Sequence, residues 1–150
     1  MLAGTADARD LPAGLVARIE EGVKACMAFY ERGESITSLA AIGYVSKPLW
    51  MEIKVDLSAE TGIKRPFWVR VLIERTFECE IHSNYTRFNI EPDAFDLARK
   101  IMAAHGFVIT KGQFHAPAVK SIVEKGPVSM WFKVRNTDNT LMVKFLARSR

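Results

Sequence analysis

The chain has little of what usually announces a chemistry. Its 150 residues hold only two cysteines and three histidines, and no CxxC, HExxH, nucleophile elbow or phosphate-binding glycine loop. Those absences remove the sequence grounds for a redox dithiol, a zincin helix, a serine hydrolase or a nucleotide cradle. The glycines Gly43, Gly62, Gly106, Gly112 and Gly126 stand apart and read as turns or caps. No apolar run approaches the roughly 20 residues that cross a bilayer, so no membrane partner is expected. The first thirteen residues, MLAGTADARDLPA, lack both a basic start and an apolar stretch and do not read as a secretory leader. Cys26 and Cys79 are therefore expected to be reduced and buried, in a cytoplasmic protein with enough core to need no staple. No cofactor or metal is assigned.

What is present points to a folded α+β protein. Hydrophobic residues make up 49% and charged residues 25%, which argues against disorder. A frayed segment 1–11 is expected before one domain over 12–150, long enough to bury roughly 68–70% of its unfolded surface. The net charge of +4 is unevenly spread. From Arg99 to Arg150 there are ten Lys or Arg against Glu124 and Asp138, a balance of +8, while residues 1–98 carry −4. A basic end of this kind suits a polyanion or an acidic partner, or the acidic half of a second copy.

Two helices are firmly marked. Leu15, Val16, Ile19, Val23, Cys26, Met27 and Tyr30 recur at helical spacing between Pro12 and Gly33. Pro92 to Ala104 has acids in its first turns and His105-Gly106 at its end. Segment 35–45 fits either a strand or a short helix. A helix-turn-helix is disfavoured there, because Ala40 to Gly43 is one residue short and Pro48 interrupts the second helix. A strand turning at Ser46-Lys47-Pro48 is preferred. Strands are expected at 49–57, 85–90 and 107–110, with a terminal hairpin of 128–135 and 141–147 around a turn at 136–139. Residues 111–115 read as loop, and 116–125 as an amphipathic helix using Val119, Ile122 and Val123. The sum is a largely antiparallel sheet of about five to six strands, with an N-terminal and a central helix packed on it.

The segment Phe67 to Ile81 is the longest alternating run. Phe67, Val69, Val71, Ile73, Phe77, Cys79 and Ile81 face one way, interrupted by Arg75. Fifteen extended residues span about 50 Å, more than the roughly 38 Å diameter of a domain this size. A bend, bulge or break is expected at Arg75, giving two joined segments. An inward Arg75 would instead require a buried acid or an anionic ligand.

Three constellations are candidates for function. Glu78, Glu80 and His82 share the outward face of one strand, but a straight strand spreads them over about 13 Å, too far for one ion. They are expected to pair with Lys54 or Lys64 across the sheet. The terminal hairpin interleaves Trp131, Lys133 and Arg135 with Met142, Lys144, Leu146 and Arg148. Cations beside an indole suit single-stranded nucleic acid or an acidic protein; the alternative is that a helix covers Trp131, Met142 and Leu146. Trp50, Trp68, Arg70 and Leu72, with Arg75, form a third set, which would wall a small-molecule pocket or line a homodimer interface unless the 116–125 segment packs on them. His105 and His115 read as structural. The leading expectation is a non-enzymatic binding protein whose basic C-terminal hairpin engages nucleic acid or an acidic partner. The alternatives are a ligand or enzymatic pocket at the tryptophans and a dimerisation module.

Overall fold

A computed structural model of the chain describes residues 11–73, 78–85, 91–115, 118–125, 128–137 and 140–147, with side chains described at 11–73, 78–85, 93–108, 124–125 and 141–145. Helix α1 spans Ala13–Arg32 and is followed by a three-ten helix, Ile36–Ile42. Strands β1 (Val45–Ser46) and β2 (Met51–Val55) come next, then a one-turn helix α2 (Ser58–Thr61). Strands β3 (Phe67–Ile73) and β4 (Glu78–Ser83) precede helix α3 (Glu91–Ala104). The chain ends in β5 (Val108–His115), β6 (Ala118–Lys125), β7 (Val128–Thr137) and β8 (Thr140–Ala147).

The α+β class holds, with one antiparallel sheet in the order β1-β2-β3-β4-β8-β7-β6-β5. It consists of two four-stranded meanders, β1–β4 and β5–β8, that meet where β4 pairs with β8. Helix α3 links them. Each meander therefore follows one long helix in the chain, and α1 and α3 pack side by side.

Helix α1 forms because its apolar residues fall on one stripe. Leu15, Ile19, Val23, Cys26 and Met27 are all buried, and each large aliphatic side chain contributes roughly 1.5–3 kcal/mol when removed from water. Pro12 offers no side-chain cap. Glu60 of α2 supplies one instead, accepting Ala13 N–H at Oε2 (2.6 Å) and Gly14 N–H at Oε1 (2.8 Å). At the other end Gly33 takes φ 66°, and the N–H groups of Gly33 and Glu34 return to Phe29 O and Ala28 O. The helix lies close on the sheet at Gly22. A Cβ there would fall 2.6 Å from Ile81 Cγ1 and 3.2 Å from Val71 Cγ2.

The expected break in Phe67–Ile81 is a chain reversal: β3 and β4 pair antiparallel, ending at Ile73 opposite Cys79. Arg75 itself lies outside the described residues, as do 86–90 of the expected strand 85–90. The inward row is as expected, with Phe67, Val69, Val71, Cys79 and Ile81 buried under the helices.

Several expectations are corrected. Cys26 and Cys79 are joined in a disulfide, with Cα atoms 5.7 Å apart. Their positions on the inward faces of α1 and β4 bring them together once α1 docks. Residues 118–125 form a strand in the middle of the second meander, and 111–115 extend β5 instead of forming a loop. Residues 36–42 are helical, capped by Ser35 accepting Thr37 N–H, so the preferred strand shrinks to Val45–Ser46. Thr137 pairs with Thr140, which shortens the expected four-residue turn. Among the described residues no helix is long and apolar enough to cross a membrane.

Candidate functional site

The two helices lie on one face of the sheet. The other face has no helix on it among the described residues, and Val108 in β5 is 64% exposed. Antiparallel partners share a face, so the register determines which residues occupy this surface. One cross-strand row runs Glu52, Arg70, His82, Met142, Arg135. The next runs Leu72, Glu80, Lys144, Lys133, Lys120. A third runs Glu78, Leu146, Trp131, Ile122. The three constellations read separately in the sequence are thus one surface, with β4 as the seam.

The β2–β4 side is tightly paired. Arg70 Nε donates to Glu52 Oε1 at 2.6 Å, and Trp50 Nε1 donates to the same oxygen at 3.1 Å. The Arg70 guanidinium lies over the Trp68 ring at 3.8 Å and the Trp50 ring at 4.8 Å. Burial pushes the Glu52 carboxyl up, but the hydrogen bonds from Arg70 and Trp50, with the charges of Arg70 and Lys47, outweigh it and hold the group below the usual carboxylate range. Asn84 Oδ1 accepts Trp68 N–H at 2.8 Å and ties the end of this cluster to the strand β4 side.

On β4 the outward residues are less exposed than a solvated face would be. Glu80 is buried, and His82 Nε2 stands 3.0 Å from its Oε1. Lys144 Nζ reaches Glu78 Oε2 at 3.4 Å. The expected pairing with Lys54 or Lys64 is therefore replaced by pairing with β8, because β4 borders β8 and Lys54 stands opposite Trp68. Among the described residues no group of three or more His, Cys, Asp or Glu is placed to hold a metal ion.

The anticipated cover for this face is absent from its proposed source. The 116–125 segment does not pack over Trp50 and Trp68, since 118–125 is strand β6 of the same sheet. Trp131, Lys133 and Arg135 are placed by register alone, and Arg148 lies outside the described residues. Sequence reasoning underrated Glu80, which is buried where it stands between Leu72 of β3 and Lys144 of β8. It also missed the shared oxygen of Glu52, for which the signal was the alternation Trp50, Glu52 opposite Arg70. Comparison with known proteins finds no family model, no curated protein and no solved structure that matches this chain.

Proposed function

We propose that the chain is a binding module that receives an acidic polypeptide on its helix-free sheet face, along strands β6–β8. The observation that carries this reading is the register. It aligns Lys120, Lys133 and Lys144 in one row and Arg135 in the next, while the acids of these rows, Glu52 and Glu80, stand on β2 and β4. A carboxylate-rich chain crossing the sheet would meet cations on strands about 4.8 Å apart. Lys144 pairs with Glu78, and Lys120, Lys133 and Arg135, placed by the register, are the residues assigned to the partner. The buried Cys26–Cys79 bridge supports a setting outside the cytoplasm, because such bridges persist in oxidising compartments. That setting favours an acidic protein over nucleic acid.

The test is binding of fluorescent polyglutamate to the oxidised full chain across a salt series. Affinity is expected to fall steeply as salt rises, and the triple change Lys120→Glu, Lys133→Glu, Arg135→Glu is expected to remove it. Equal binding by that variant would overturn the reading. Tighter binding of single-stranded DNA than of polyglutamate, lost in the same variant, would replace it with a nucleic-acid role.

A further inference from the structure

We infer that Arg70 anchors a second binding site, for a monocarboxylate whose apolar body rests on Trp50, Trp68 and Leu72. The site lies on β2–β3, away from the strands assigned to the acidic partner, and does not depend on that reading. Arginine presents five N–H donors in a rigid fork. Here one of them, on Nε, is consumed by Glu52 at 2.6 Å. Among the described residues no hydrogen bond uses Nη1 or Nη2, and about a third of the side chain is exposed (33%). The edge of the guanidinium that binds carboxylates in parallel hydrogen bonds is therefore available, while the rest of the group is held.

Three contacts fix the fork before any ligand arrives: the Glu52 hydrogen bond and the two indole rings at 3.8 and 4.8 Å. Fixing a long side chain in advance removes much of the entropy that a surface arginine loses on binding. Glu52 is fixed in turn by Trp50 Nε1 at 3.1 Å.

The surroundings select the ligand class. Arg70 offers the site a single guanidinium fork, already balanced by Glu52, and the neighbouring cations are point charges at its margin: Lys47, whose charge acts on Glu52, and exposed Lys54 opposite Trp68. A monoanion matches such a site better than a phosphate dianion, which needs several cations. The half-buried indoles and Leu72, two residues beyond Arg70 on the same face, offer apolar surface to whatever carries the carboxylate. Two sources have this chemistry: a free aromatic or aliphatic acid, and the C-terminal carboxylate of a peptide ending in an apolar residue.

The experiment titrates the oxidised full chain with 3-phenylpropionate and with its amide, following tryptophan fluorescence and heat of binding. An acetylated tripeptide ending in phenylalanine is titrated in free-acid and amidated forms. The acid is expected to bind at least roughly tenfold more tightly than its amide, and whichever free-acid probe binds better identifies the source. Arg70→Met is expected to abolish the difference between acid and amide, and Arg70→Lys to weaken the acid by roughly tenfold, since an ammonium cannot reproduce the fork. Should Arg70→Met fail to fold, Arg70→Lys and the acid–amide comparison on the unaltered chain still decide. Indistinguishable acid and amide, or an Arg70→Lys variant with unchanged affinity, would overturn the site. The Lys120, Lys133, Arg135 triple variant should bind the acid normally, which separates this result from the fate of the polyglutamate experiment.

Discussion

The two halves of the sheet are built alike and held differently. Each is a long helix followed by a four-stranded meander on which a helix packs, yet only the first carries a covalent tie. Cys26–Cys79 joins α1 to β4, and Gly22 lets α1 approach Ile81 and Val71. The charged residues of this half also find close partners: Glu52 with Arg70, Glu80 with His82, Arg18 with Glu21 at 2.7 Å. In the second half α3 packs through Ala94, Phe95, Ala98, Ile101 and Met102 without a bridge among the described residues. The bond between halves is correspondingly specific. Lys125 of β6 reaches Glu31 of α1 at 3.0 Å and lies over Phe107. Tyr30 of α1 donates to Phe145 O in β8 at 3.0 Å. One half is thus a frame that carries the covalent brace, while in the other the cations with described side chains, Arg99, Lys100, Lys125 and Lys144, each pair with an acid.

The disulfide should dominate that contrast. It closes a separation of 53 residues, which on the chain-entropy account stabilises by about 4 kcal/mol. Denaturant melts of the paired Cys26→Ala, Cys79→Ala variant should show a loss of that order, with hydrogen exchange rising most in α1 and β4. Unchanged stability would mean that the frame does not depend on its bridge.

Gly22→Ala should come next. The helix gains intrinsic propensity, about 1 kcal/mol, but the new methyl falls within 2.6 Å of Ile81 Cγ1, so strain of about 1–3 kcal/mol is expected to win. Ile81→Ala deletes both Cγ1 and Cγ2, the atoms the new methyl would meet, so the double variant should be less destabilised than the sum of the two single changes. A more stable Gly22→Ala protein would show that α1 can lift from the sheet at little cost.

A smaller effect is expected at the first turn of α1. Glu60→Ala removes the acceptor of two N–H groups and should cost about 1 kcal/mol in a thermal melt, as loss of a cap does. Glu60→Gln should retain part of it.

The least effect concerns acid. Glu52 is held below its ordinary range in the folded chain. Its contribution is present above the unfolded carboxyl value, about 4.3, and is lost as pH falls through the lower folded value. The stability of Glu52→Gln should therefore fall less than that of the unaltered chain on acidification to about pH 3. Parallel curves would show that the Arg70 pair adds nothing to folding. At the opposite end of the scale, burial and the neighbouring Glu21 carboxylate raise the Tyr44 phenol above its usual range, so it stays protonated and keeps donating to Glu21 at 3.1 Å.

Much of the frame was legible because its signals are local. Pro12 and Gly33 bracket α1, and the strict alternation of Phe67–Ile73 turns the correct residues inward. Segment 118–125 was not legible. Val119, Ile122 and Val123 satisfy a helical stripe, while the register places Val119 and Val123 in alternate positions of a strand and Ile122 between them. Eight residues are too few for periodicity to separate the two. The same holds for 36–42, where a local Ser35 cap outweighed the β-branched residues.

Composition, charge asymmetry and the inward faces of Cys26, Cys79 and the strand residues were determined by the chain alone, since each depends on neighbours a few positions away. The pairing of β4 with β8 was decided only in three dimensions. That single long-range contact turns Lys144 towards Glu78 and merges three sequence constellations into one face. The docking of α1 likewise converts two buried thiols, 53 residues apart, into a bridge. Contacts between distant segments depend on how whole faces are buried together, and no window of sequence carries that information.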